Sequence, residues 1–324
     1  EDLPKLMPHF DPKVSTTTDV VRHAIIPGSS EHKCAYARKM MQGVPTRPRT
    51  FVTHNWSNLF ADLMASIVAD ALGEPTFMII SLLLGKHLEQ LKTLLTSEVR
   101  AKTYWVCAFS VNQHLSICGG NPFKSVDAVT GLEHPVCSCG HVKFLNNTPP
   151  LRSDGKSVSC EMNKFDDVLA FLACQDDEFS QLIAIDYGFT LFSRAWCVVE
   201  VATADDLGLN QRMEFHSVEV FDSKVQQLHD LRVQNMKASR PEDVEEILSK
   251  IQDVDGFNSR LRLLLFGDTG LLNLSKIQDS LHLNVELGTA ARLAKVMAQI
   301  PDIQIEKEAQ CEVLEAKARA DHAA

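Results

Sequence analysis

Gln181-Leu182-Ile183-Ala184-Ile185-Asp186-Tyr187 is a short apolar run that ends on Asp and Tyr. After Gly188 and Leu191-Phe192-Ser193-Arg194 it gives way to Ala195-Trp196-Cys197-Val198-Val199-Glu200-Val201-Ala202-Thr203-Ala204. The first run has the length and composition of a buried strand, and the second reads as a helix, so the order is strand, loop, helix. In an open α/β sheet the ligand crevice forms outside the carboxyl ends of the strands, which places residues 186–200 on it. Glu200 is the single charge between Ala195 and Ala204. A carboxylate set among core-forming residues is costly to bury without a partner or a reaction that uses it, so Glu200 is the leading functional residue.

The other two tryptophans fall in segments of the same kind, Thr50-Phe51-Val52-Thr53-His54-Asn55-Trp56-Ser57 and Thr103-Tyr104-Trp105-Val106-Cys107-Ala108-Phe109-Ser110, each a β-rich run ending in polar residues. A helix is expected from Ser57 or Asn58 through Leu72, with Leu59, Phe60, Leu63, Met64, Ile67, Val68 and Leu72 at helical spacing and Gly73 and Pro75 ending it. Residues 77–84 read equally as strand or helix. Helices are expected near 86–95 and 164–174, and a last strand near 212–221. Alternating strands and helices call for an α/β fold, a parallel sheet with helices on both faces. Beyond Phe221 the chain is helical in character: Pro241 opens one helix with Val244, Ile247, Leu248 and Ile251 as its stripe, and others follow at 258–266 and 289–298. The resulting division is an N-terminal extension over 1–48, ordered around 19–26, an α/β domain over 49–222 and a helical C-terminal region over 223–324. A long loop insertion spans 116–160, rich in Gly and Pro and longer than the usual connection.

Of the 324 residues 45% are hydrophobic, enough for a sizeable core. The formal net charge of -10 argues against a nucleic-acid or anionic-membrane binder, which needs a basic footprint. The longest apolar run, 77–84, is far shorter than the roughly 20 residues that cross a bilayer, so no membrane span is expected. The chain opens on Glu1-Asp2-Leu3-Pro4 without an initiator Met or a signal region and is read as processed or as a piece of a longer product. An odd count of 9 cysteines, scattered through the chain, suits free thiols in a reducing, cytoplasmic setting.

Neither a Gly-x-Gly-x-x-Gly after the first strand nor a Gly-x-x-x-x-Gly-Lys-Ser/Thr loop is present, which excludes the usual dinucleotide and P-loop readings. The insertion carries His134, Cys137, Cys139, His141 and Cys160. The spacing of its paired cysteines is Cys-x-Cys, not the stronger Cys-x-x-Cys, and no second tight pair follows. No metal is therefore assigned; Cys137, Cys139, His141 and Cys160 are zinc candidates that loop cysteines would equally explain, and the role would be structural. A Cys nucleophile can be composed from Cys107, Cys174 or Cys197 with His54, His114 or His141, but nothing local marks one. Asn112-Gln113-His114 follows the second Trp segment and suits either ligand binding or a capped turn.

Phe51-Val52-Thr53-His54 as a first strand, with Ser193-Arg194-Ala195-Trp196-Cys197-Val198-Val199-Glu200-Val201 after a strand ending in Asp186-Tyr187, resembles the Toll/interleukin-receptor (TIR) domain family over about 50–221. The second segment is similar to a Ser-x-Trp-Cys-x-x-Glu-Leu pattern and fits Trp-x-x-x-Glu. The resemblance implies a flavodoxin-like sheet of five parallel strands. It also implies one of two activities: hydrolysis of NAD at its nicotinamide bond with Glu200 as catalytic carboxylate, or a non-catalytic interaction module that scaffolds a signalling assembly. The ligand-binding set implied for the first is His54, Asn55, Trp56, Ser57, Asn112, Ser193 and Trp196. NAD would be substrate, with no cofactor; partners would be the nucleotide or proteins, with homo-oligomers left open. The acid or Arg common in the family's first loop is absent, and Ser110-Val111-Asn112-Gln113-His114 stands in place of its Arg-Asp-x-x-Pro-Gly loop.

Overall fold

Four parallel strands form the centre of the structure, a computed structural model that describes residues 3–143, 165–238, 241–273, 289–298 and 300. They are β1 (Thr50–His54), β2 (Tyr104–Val106), β3 (Ser180–Ala184) and β4 (Asn210–Glu214), in the order β2-β1-β3-β4. Every residue of β1 and β3 is buried, as expected for central strands covered by helices on both faces, whereas the edge strands β2 and β4 are only partly so. The fold is thus α/β and flavodoxin-like. The order reverses between β1 and β3, where the crevice of a doubly wound sheet opens.

Side chains alternate across the sheet, and each face has its own core. Val52, Val106, Leu182 and Ala184 pack with Phe60, Leu63 and Ile67 of the Phe60–Leu72 helix and with Met7, Val20, Val21 and Ile25 of the N-terminal extension. Ile183 and Ile185 meet the Ala195–Asp206 helix, the Val218–Lys224 helix and tail residues Ile247, Leu261 and Leu265. The extension is helical at Leu3–Leu6, over 17–29 and at Tyr36–Met40, more than the one ordered piece expected. A capping box between Thr16 and Asp19 starts its central helix.

Three local expectations change. The second Trp segment is a strand only to Val106, and Cys107–Ser110 is already a helical turn. Residues 78–84 resolve to helix, within Met78–Lys86, with Phe77 preceding its first turn and the start pinned by the Phe77 and Met78 amides donating to the Phe215 and His216 carbonyls at 3.1 and 3.0 Å. The last strand ends at Glu214, because the Ser217 hydroxyl accepts from the Val220 amide and caps the Val218–Lys224 helix where the strand was expected to continue. After that helix the described chain goes on to tail helices at Pro241–Lys250, Val254–Phe266 and Thr289–Met297, so the fifth strand implied by the resemblance is not among the described residues. No helix among the described residues is long and apolar enough to cross a membrane.

Candidate functional site

Parallel register sets Gln181 opposite Gln211 and Thr53 opposite Ile183, so Thr53, Gln181 and Gln211 share the sheet face that the Ala195–Asp206 helix covers. Their polar groups form a directional chain. Gln211 Nε2 donates to Gln181 Oε1 at 2.7 Å and to the Val201 carbonyl at 2.8 Å, and Gln181 Nε2 donates to Thr53 Oγ1 at 2.8 Å. With its oxygen already accepting from Gln181, Thr53 Oγ1 commits its hydrogen to Glu200 Oε2 at 2.6 Å. Thr53 and Gln181 are wholly buried, whereas Glu200 is half-buried. The Glu200 carboxylate is thus held by a buried network that runs from Gln211 of β4 through Gln181 of β3 to Thr53, the penultimate residue of β1.

His54, the last residue of β1, follows Thr53 and is buried. Its Nδ1 lies 3.3 Å from the Val52 carbonyl, which sets Nδ1 as the protonated nitrogen and leaves Nε2 to accept from the Cys107 thiol at 3.7 Å. Trp56 Nε1 also donates to Cys107 Sγ, at 3.1 Å. Burial drops the His54 imidazole to about 4 and raises the Cys107 thiol to about 12, with the nearby Glu200 charge adding to the rise. Both groups are therefore neutral at pH 7, so this pair is no thiolate–imidazolium nucleophile. Cys197 is likewise pushed up by burial and Glu200, and its Sγ lies 3.5 Å from the His54 carbonyl oxygen.

The loops above are tied to each other. Asn55 Nδ2 donates to Thr190 Oγ1 at 2.9 Å, Thr190 Oγ1 to Asp186 Oδ2 at 2.8 Å, and the Thr190 and Leu191 amides to the same carboxylate at 2.8 and 2.7 Å. Asn55 Oδ1 accepts from the Ser57 amide. The turns after β1 and β3 are therefore one hydrogen-bonded unit, and Asp186 serves as the acceptor that shapes it.

Glu200, His54, Asn55 and Trp56 thus come together at this edge, and Ser57 sits exposed on the same turn. The remaining expected residues are placed elsewhere or used otherwise. Asn112 holds its own turn, accepting from the His114 amide and donating to the Lys33 carbonyl. Ser193 is exposed, its hydroxyl donating to the Thr190 carbonyl. Trp196 turns to the tail: its Nε1 donates to Asp243 Oδ2 at 3.4 Å, and its ring lines a hollow of about 90 Å³ with Val199, Ile247, Ile251 and Phe257. That hollow is far below the roughly 300–1,000 Å³ of a typical ligand pocket. The network beneath Glu200 is the part sequence reasoning missed; its signal was a polar residue on the buried face of each strand, at Thr53, Gln181 and Gln211.

Of the zinc candidates, Cys137 and Cys139 lie beside His114 and Cys118, with the four donor atoms within 4.8 Å of one another. His141 is exposed outside this group, and Cys160 lies outside the described residues. Comparison of the chain with protein families, curated proteins and solved structures finds no match in any of the three.

Proposed function

We propose that the chain is a TIR-like hydrolase that cleaves the bond between nicotinamide and ribose in a nicotinamide dinucleotide, with Glu200 as the catalytic carboxylate. The supporting observation is the half-buried Glu200 carboxylate, aimed by the hydroxyl of Thr53 near the carboxyl end of β1. The reaction suits a single anion. The C1′–N bond breaks with its electron pair going to the pyridinium nitrogen, so nicotinamide leaves neutral. The oxocarbenium-like ribose needs negative charge beside it and water as the nucleophile, and the water's proton is released. Glu200 supplies the charge and orients ribose hydroxyls, the exposed Ser57 on the turn that Asn55 shapes is the group offered to the ribose and phosphates, and the neutral His54 and Cys107 wall the site without competing as nucleophiles. This reading takes NAD as substrate, needs no cofactor, and has the enzyme act in the reducing cytoplasm.

A scaffold role is the second reading, favoured by the exposed Phe123, Val126, Val129, Leu132, Val136 and Val142 of the insertion, an apolar set that a protein partner would cover. The deciding experiment is release of labelled nicotinamide from NAD by the purified chain over a range of protein concentration, with Glu200→Ala and Glu200→Gln alongside. Release by wild type and background values for both variants support the hydrolase. Absence of release at every concentration, from chain shown to be folded, leaves the scaffold reading.

A further inference from the structure

We infer that His114, Cys118, Cys137 and Cys139 form a structural zinc site that fastens the loop insertion to the N-terminal helices. The four come from two short segments, His114-x-x-x-Cys118 and Cys137-x-Cys139, brought together where the chain doubles back: the Cys137 amide donates to the Cys118 carbonyl at 2.7 Å. Tetrahedral zinc with Zn–S near 2.3 Å and Zn–N near 2.0 Å requires donor atoms about 3.5–3.8 Å apart. Cys118 and Cys139 Sγ are 3.6 Å apart, and Cys137 Sγ is 3.8 Å from His114 Nδ1. The set is closed and thiolate-rich, the pattern of structural and not catalytic zinc.

The surroundings match a metal site. His114 Nε2 is 3.1 Å from the Ser29 hydroxyl, which leaves Nδ1, the nitrogen facing the cysteines, as the donor. Binding releases three thiol protons and gives a centre of net charge −1. The Lys143 ammonium, 3.0 Å from Cys118 Sγ and 3.7 Å from Cys139 Sγ, balances that charge and donates to the His114 carbonyl at 2.7 Å. Lys143 passes Gly119 so closely that a Cβ there would lie 2.8 Å from its Cε. The site is also a junction: Ser29 belongs to the extension, Lys33 Nζ donates to the Cys139 carbonyl at 3.0 Å, and Arg22 donates to the Ile117 and Gly120 carbonyls at 3.0 and 2.9 Å. Gln113, just before His114, donates to the carbonyl of Cys107, so the metal also steadies the wall beside Glu200.

The test is zinc content of the full chain after dialysis against a weak chelator, paired with Co²⁺ titration of the reduced, metal-free chain. One equivalent of zinc and the intense visible absorption of tetrahedral thiolate-bound cobalt are expected. Cys118→Ser, Cys137→Ser and Cys139→Ser should each lose the zinc, and Cys174→Ser, an exposed cysteine outside the group, should keep it. Because ligand variants can misfold, Ser29→Ala is the gentler arm, expected to retain one equivalent and to weaken affinity by about tenfold or more. Three results would overturn the proposal: no zinc and no cobalt spectrum in the folded, reduced wild-type chain; full zinc in the cysteine variants, which would point to the separate His9, His23 and Asp127 group; or a Cys118–Cys139 disulfide in chain whose thiols are blocked at lysis.

Discussion

Replacing Thr53 by Val removes one hydroxyl and keeps the shape of the side chain, so it isolates the network beneath Glu200. The wild-type hydroxyl satisfies a buried Gln181 amide hydrogen and donates to a carboxylate. Thr53→Val leaves the Gln181 group unsatisfied in a wholly buried position, at about 1–3 kcal/mol, and removes a charge-assisted bond worth about 1.5–3 kcal/mol, halved here because Glu200 is only half-buried. The sum predicts a loss of about 2–4 kcal/mol, read from the urea midpoint at unchanged slope. Thr53→Ser keeps the hydroxyl and loses one buried methyl, at about 1 kcal/mol. In the nicotinamide-release assay Thr53→Val should lower turnover by about tenfold or more, since an unaimed carboxylate forfeits on the order of 1.4 kcal/mol of transition-state stabilisation. Thr53→Ser should stay close to wild type. Equal stability of Thr53→Val and wild type within about 0.5 kcal/mol, or equal loss of turnover in both variants, would refute the directional network.

Two further outcomes follow from buried charge. His54 has its folded value lowered to about 4 against 6.5 unfolded, so both states are neutral above pH 6.5 and only the unfolded chain takes up the proton below it. Stability conferred by His54 is therefore complete above pH 6.5, falls as pH drops towards 4, and by then has lost about 3 kcal/mol; His54→Asn should flatten that limb of a denaturation series, and an unchanged profile would contradict it. On the opposite sheet face, Asp70 accepts from the Tyr104 hydroxyl at 2.7 Å and from Arg212 Nε and Nη2 at 2.5 and 3.2 Å. Asp70→Ala strands both partners and should cost about 3 kcal/mol by urea unfolding, the low end for a buried pair because Arg212 keeps 38% of its side chain exposed; a loss under about 1 kcal/mol would show that the pair does not brace β4.

The sheet was legible where periodicity and length agreed. The runs at Thr50–His54 and Ser180–Ala184 are strands, and the Glu200 segment is the helix its pattern announced. Legibility failed where apolar residues fit either period, as at Met78–Lys86, and where one side-chain cap, Ser217, ended a strand early. Helical spacing correctly puts Trp196 and Glu200 on neighbouring positions, but one turn is enough to send the indole to the tail and the carboxylate to Thr53, a division set by the tail's packing, which no local pattern encodes. The cysteine group shows the same limit. Cys137 and Cys139 stand out by spacing, while His114 and Cys118 join them only because the insertion folds back on the extension.

The central claim, that a nicotinamide nucleotide sits at the carboxyl edge of β1 and β3 against Glu200, is tested most directly by amide hydrogen exchange of the Glu200→Gln chain with and without NAD. The account predicts protection confined to residues 55–58 and 186–195. Protection that appears instead in the groove at the far end of the sheet, lined by Asp205, Asn210, Gln211 and Arg260, or no protection at saturating NAD, would contradict it.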